Sequence, residues 1–194
     1  MSAVTEPIRV LHVDDDPDFV ELAATFLERA DDRFVVETAT DPREGLERLG
    51  TRDVDCVVSD YAMSGMDGIE LLEAVRADDP DLPFVLFTGE GCEAVASEAV
   101  AAGATDYIRN GGDADGYELL ANSVRTAVEG YRAAERAATL ERIRALVREV
   151  NHVLVRASSR DDLEERVCRA ISRAEPYRFA WIGEYDPGTD RVTP

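Results

Sequence analysis

Apolar residues in the first two thirds of the chain gather into short runs that alternate with longer stretches of helical spacing. The runs are "IRVLHV" (8–13), "RFVVETA" (33–39), "DCVVSD" (55–60), "FVLFT" (84–88) and "TDYI" (105–108). Amphipathic helices are predicted from Pro17, Pro42, Gly68, about Glu93 and about Asp115. Five such alternations predict an α/β fold with a parallel sheet covered on both faces, because parallel strands need crossover helices that bury the sheet between them. The helix starts carry their own local chemistry. Asp16-Pro17 and Asp41-Pro42 place an acidic N-cap before a proline in the first turn, and Asp67 stands three residues before Glu70 as in a capping box.

The fifth helical stretch runs to about residue 157 without a proline, with Gly130 as its only glycine after Tyr117. Leu140, Ile143, Val147, Val150, Leu154 and Ala157 are spaced 3,4,3,4,3, a heptad seam. The seam fits either a helix packed on its parent domain or a coiled-coil-like linker over 131–157. The linker is the favoured reading, and it would also offer a homodimer contact. A short helix, "RDDLEERVCRAISRA", follows with Leu163, Val167 and Ile171 on one stripe; "YRFAWIGEY" (177–185) then alternates like a strand, and "DPGTD" turns the chain toward "RVTP". A segment as short as 158–194 cannot bury a core of its own, so the chain is expected to stop inside a second domain.

Composition narrows the class. The chain of 194 residues has 41 acidic residues against 21 basic ones, all arginine, for a formal net charge of −20. Such a surface repels nucleic acid phosphates. Periodic apolar segments nevertheless argue for a folded protein with an acidic exterior, and a salt-rich cytoplasm would screen its self-repulsion, so a halophilic source is expected. Cys56, Cys92 and Cys168 form no metal-binding pattern and suit a reducing compartment. No apolar run is long enough to span a membrane and no secretory leader is evident, so a soluble, cytoplasmic protein is expected with no membrane partner.

The candidate chemistry lies at strand ends. The first strand ends in "VDDDP" and the third in "SDYAMSGMDG". In an open parallel sheet the carboxyl ends of the strands share one edge, where ligands bind, so Asp14, Asp15 and Asp60 are expected to converge. Clustered carboxylates repel and call for a counter-charge; a hard divalent cation such as Mg2+ is the natural one. Thr88 ends the fourth strand at the same edge, where its hydroxyl could bond a phosphoryl oxygen on Asp60.

These motifs, with "GATDY" leading into the fifth strand, resemble the receiver domain of two-component response regulators, the CheY-like family, over about residues 7–130. The resemblance implies a flavodoxin-like (βα)5 sheet of order 2-1-3-4-5. It further implies that Asp60 is the phosphoacceptor, charged by a histidine kinase, in a protein that is no enzyme beyond autodephosphorylation. Asp15, Asp60 and the backbone carbonyl of Ala62 would hold Mg2+, with Asp14 beside them. Thr88 and Tyr107 would form the switch.

Two residues depart from the family pattern. Ser64 stands where proline is usual and is expected to loosen the loop after Asp60 without altering the chemistry. Asn110 stands where the family has lysine, which weakens the coupling of the phosphoryl group to the fifth strand. Arg109 is its neighbour, but side chains alternate along a strand and Arg109 would face away unless the strand ended early. The segment 158–194, entered through "VLVRAS", resembles the start of a GAF-like domain, as found after receiver domains in archaeal regulators, which implies an archaeal type. His152 lacks the flanking residues of a kinase histidine box and reads as an ordinary linker residue. Two rivals remain: a pseudo-receiver that binds partners without phosphorylation, and a Mg2+-dependent phosphatase, whose aspartate pattern would fall at Asp14, Asp16 and Asp18. No helix-turn-helix signature supports DNA binding.

Overall fold

A computed structural model describes residues 6–193 except 52, 90–92, 113, 158, 174–176, 187 and 189. Strand β1 (Ile8–Val13) pairs in parallel with β2 (Phe34–Ala39) on one side and β3 (Cys56–Ser59) on the other. Strands β4 (Phe84–Thr88) and β5 (Asp106–Arg109) extend the sheet beyond β3. The order is β2-β1-β3-β4-β5, the flavodoxin-like arrangement expected from the sequence. β3 and β4 are buried at every position, which is why both read as unbroken apolar runs.

The crossover helices are α1 (Pro17–Ala30), α2 (Pro42–Leu49), α3 (Gly68–Asp78), α4 (Glu93–Ala101) and α5 (Ala114–Arg156). The carboxylates of Asp16 and Asp41 accept hydrogen bonds from the first-turn N–H groups of α1 and α2. Asp67 and Glu70 form the reciprocal capping box that starts α3. One core layer packs Ala23 and Leu27 of α1 and Leu120, Val124 and Val128 of α5 on the sheet. The opposite layer packs Leu71, Leu72 and Val75 of α3 and Ala99 of α4 against Leu11, Val57, Phe84 and Leu86.

Arginines tie the layers together at their margins. The Arg76 guanidinium donates to the carbonyls of Gly103 at 2.9 Å and Leu82 at 2.7 Å, bridging α3 to the turns around β4 and β5. Arg132 donates to the Pro7 carbonyl at 2.6 Å and pairs with Asp55 at 2.9 Å, fixing α5 to the start of β1 and β3. His12, fully buried in β1, has neither ring nitrogen in hydrogen-bond geometry with a partner among the described residues. Burial pushes its pKa down to about 4, so a neutral ring fills the core at physiological pH.

The chain divides into two compact units at Arg132/Ala133, and α5 runs through the division. In the second unit the seam residues Leu140, Ile143, Val147 and Leu154 are each about half exposed. Helix α6 (Arg160–Arg173) follows, then an antiparallel pair, β6 (Glu184–Asp186) and β7 (Arg191–Thr193). Residues 177–183 are not a strand, contrary to their alternating pattern. Alternation alone makes no ladder, and Phe179 and Trp181 lie exposed, with no strand pairing to 177–183 among the described residues. Cys56 is buried and Cys168 half-buried on α6, whereas Cys92 lies outside the described residues. Acidic and basic residues balance over 133–194, so the whole net charge falls in the first 132 residues. No described helix is long and apolar enough to cross a membrane.

At the end of α1, Asp31 pairs with Arg33 at 2.8 Å and with Arg125 of α5 at 3.1 Å, joining α1, β2 and α5. Hydrogen bonds from Arg33, with Arg125 assisting, hold its carboxyl far below the usual carboxylate range. A depressed acid stabilises the fold above its unfolded pKa and loses that contribution as pH falls through it toward the folded value. Asp31→Asn is therefore expected to cost about 1 kcal/mol at pH 7. In urea unfolding compared across pH, that difference should shrink as the pH drops below about 4.

Candidate functional site

The parallel order brings the ends of β1, β3, β4 and β5 to one edge, and backbone bonds continue past the strands to hold the next residues there. Asp60 N–H donates to the Val13 carbonyl at 2.9 Å, Asp14 N–H to Ala39 at 3.2 Å, and Asn110 N–H to Thr88 at 2.8 Å. Asp14, Asp60 and the terminal residues of β4 and β5 are thereby fixed by the sheet itself. Behind Asp60, Gly68 opens α3 against the strand. A Cβ at Gly68 would meet the Asp60 carbonyl at 2.2 Å and Leu86 at 2.8 Å, so only glycine admits this approach.

The three carboxylates differ in environment. Asp14 is only 7% exposed and accepts the Asp16 N–H at 2.9 Å. Burial pushes its carboxyl up to about 6; the charges of Asp60, Asp15 and Asp16 push the same way and the Asp16 N–H opposes. Asp60 is half-buried and accepts the Ala62 N–H at 2.8 Å. Asp15 is exposed, and its Oδ2 accepts both the backbone N–H and the hydroxyl of Ser64 at 2.9 Å each. Ser64 thus ties the loop after Asp60 back to the end of β1 and does not loosen it, because it supplies two donors that a proline lacks.

Thr88 is buried at the end of β4, and the Tyr107 ring is half-buried against the core with its hydroxyl enclosed and outside hydrogen-bond geometry with any described partner. β5 persists to Arg109, which pairs in register with Thr88 and points outward, exposed, while Asn110 turns inward at 7% exposure. The alternation expected from the sequence holds, and Arg109 does not take the lysine's place. Asn110 Oδ1 accepts the Gly112 N–H at 2.9 Å, so half of its amide is spent closing its own turn. His152 stands exposed on α5 in the second unit.

One contributor escaped the sequence pattern. Tyr117 of α5 stacks on Phe26 at 4.5 Å and meets Phe87 edge-on at 5.4 Å. Its hydroxyl is buried beside Asn110 and within electrostatic reach of Asp14, yet lacks hydrogen-bond geometry with any described partner. Nothing local in "DGYELL" signals this, since the ring is placed by residues from α1 and β4.

The donor set suits a hard divalent cation: it is all oxygen, and the buried member is raised by burial, with its neighbours' charges adding to it. Among the described residues, however, no three or more His, Cys, Asp and Glu side chains are drawn together closely enough to hold a metal as they stand.

A doubly wound parallel sheet with clustered carboxylates at its carboxyl edge defines the class as a flavodoxin-like acidic-site domain. The sequence pattern of the response regulator receiver domain matches residues 10–115, and the chain belongs to that family. It is 33% identical over 135 residues to the acid tolerance regulatory protein ActR of Rhizobium meliloti, covering 70% of this chain and 68% of ActR. It is 37% identical over 123 residues to the C4-dicarboxylate transport transcriptional regulatory protein DctD of the same organism, covering 63% of this chain but only 26% of DctD. Among solved structures, the chemotaxis response regulator CheY4 of Vibrio cholerae is 28% identical with a TM-score of 0.55, covering 61% of this chain and 98% of CheY4. NtrX from Brucella abortus is 26% identical with a TM-score of 0.61, covering 76% of this chain and 34% of NtrX.

The raised Asp14 carboxyl makes a stability prediction. Replacing a buried carboxylate by its neutral isostere removes the cost of burying the charge and the smaller repulsion from its neighbours, and keeps an acceptor for the Asp16 N–H. In metal-free buffer at pH 7.5, Asp14→Asn should be more stable by about 1 kcal/mol, an increase of several degrees in melting temperature for a domain of this size. Differential scanning calorimetry in chelator checks this, and a lower melting temperature would contradict it.

Proposed function

We propose that this chain is the phosphoacceptor receiver of a two-component phosphorelay, taking a phosphoryl group from a histidine kinase onto Asp60. The observation that carries this reading is the position of Asp60: it is half-buried at the end of β3, with one oxygen oriented by the Ala62 N–H and with the raised carboxyl of Asp14 beside it. In the transfer, an Asp60 carboxylate oxygen forms the new O–P bond as the donor's N–P bond breaks, and the electron pair leaves on the imidazole nitrogen. Asp15, Asp60 and the Ala62 carbonyl would hold Mg2+, with Asp14 adjacent. When bound, the cation supplies the positive charge that lets an anionic phosphoryl group approach these carboxylates.

The chain's own residues do the rest. Thr88 lies at the same edge as a hydroxyl donor toward the phosphoryl oxygens. Tyr107, next along the sheet, reports the change to the β5 and α5 side. The extended α5 over 131–157 acts as a linker carrying that change to a C-terminal segment, 158–194, read as the start of a GAF-like sensory domain.

A second reading, a pseudo-receiver acting through protein contacts alone, draws on one observation: the Asn110 amide oxygen is committed to the Gly112 N–H and brings no charge. Losing a charge-assisted hydrogen bond removes about 1.5 to 3 kcal/mol, whereas a bound divalent cation is the larger local charge. Phosphorylation should therefore survive in a weakened or shorter-lived form. The phosphatase reading finds no support, since the Asp16 it needs is bonded to the first turn of α1.

Incubation with acetyl phosphate and Mg2+, followed by intact mass spectrometry, tests the proposal. Wild type should gain one phosphoryl group, Asp60→Asn none, and Asn110→Lys should retain the group about tenfold longer. No uptake by the wild type with either acetyl phosphate or a phosphorylated kinase would favour the pseudo-receiver.

A further inference from the structure

Ser64 stands at the tip of the loop between β3 and α3, in a place where its two donors converge on one acceptor 49 residues earlier in the chain. The loop is closed at its base by the Gly68 N–H donating to the Tyr61 carbonyl at 2.9 Å, so its ends are fixed while Ser64 and Gly65 remain exposed. Gly65 has φ +86, a conformation that favours glycine, and no heavy atom lies within 4 Å of where a Cβ would stand. The tip therefore has a grip on Asp15 beside a residue whose backbone conformation favours glycine.

Two donors on Asp15 Oδ2 use the lone pairs that a cation would need from that oxygen. The open arrangement of Asp14, Asp15 and Asp60 agrees with this: they are close enough to affect one another's charge but are not gathered as a metal cage. We propose that Ser64 is a positioning residue, a latch that holds Asp15 on the β3–α3 loop and lowers the site's affinity for a divalent cation. The proposal rests on the reading of this edge as a cation-assisted acceptor. Cation binding then exchanges the Ser64 donors for the metal and releases the loop tip, so the occupancy of the acidic edge is felt in the loop that leads into α3.

The latch is tested by titrating Mg2+ into the full chain by isothermal calorimetry, with wild type, Ser64→Ala, Ser64→Pro and Ser64→Thr compared. Removing the hydroxyl in Ser64→Ala should tighten binding about threefold to tenfold, the range expected for one hydrogen bond lost from the competing state. Ser64→Pro, which loses the N–H as well, should bind at least as tightly as Ser64→Ala, and Ser64→Thr, which restores both donors, should bind like wild type. Circular dichroism melts of each variant identify any that fails to fold, and Ser64→Ala alone suffices if Ser64→Pro does. Equal affinity in wild type and Ser64→Ala, or weaker affinity in Ser64→Ala, overturns the latch and leaves the cation site standing. No binding in any of the proteins overturns the cation site, and the latch with it.

Discussion

Repulsion among Asp14, Asp15 and Asp60 is the constraint around which this edge of the molecule is organised. The parallel sheet leaves them little freedom to separate, because Asp14 and Asp60 are held by backbone bonds that continue the ladder beyond β1 and β3. Each carboxylate is met by a nearby donor: the Asp16 N–H for Asp14, the Ala62 N–H for Asp60, and the N–H and hydroxyl of Ser64 for Asp15. The Asp14 carboxyl is still raised, by burial first and by its neighbours' charges after it, against the Asp16 N–H. A site left in that condition costs stability, and such strain is commonly kept where it serves function.

The other half of the edge is arranged differently from the family pattern. Where a lysine would reach across from the end of β5, Asn110 folds back to close the turn to Gly112, and Arg109 faces outward. Near Asp14 and Asn110 stands Tyr117, stacked on Phe26 and edge-on to Phe87. In a chain that contains no lysine, the substitution follows the composition as a whole and does not by itself mark an abandoned site.

Much of the fold was legible in the sequence because its signals are local. Asp16-Pro17, Asp41-Pro42 and the Asp67/Glu70 pair announce three helix starts, and the observed caps use those very side chains. The inward turn of Asn110 and outward turn of Arg109 also follow from the two-residue period of a strand. What could not be read joins distant positions. The grip of Ser64 on Asp15, and the stacking of Tyr117 on Phe26, exist only once the strands are ordered. The alternation of 177–183 misled for the complementary reason: a strand needs a partner, and a local pattern cannot supply one.

Thermal melting with Mg2+ and beryllofluoride, added separately and together, tests most directly whether the acidic edge is a cation-neutralised acceptor. In wild type, Mg2+ alone should raise the melting temperature, beryllofluoride alone should not, and the two together should raise it further; in Asp60→Asn the added effect of beryllofluoride should vanish. A wild-type melting temperature unmoved by Mg2+, alone or with beryllofluoride, would contradict the account.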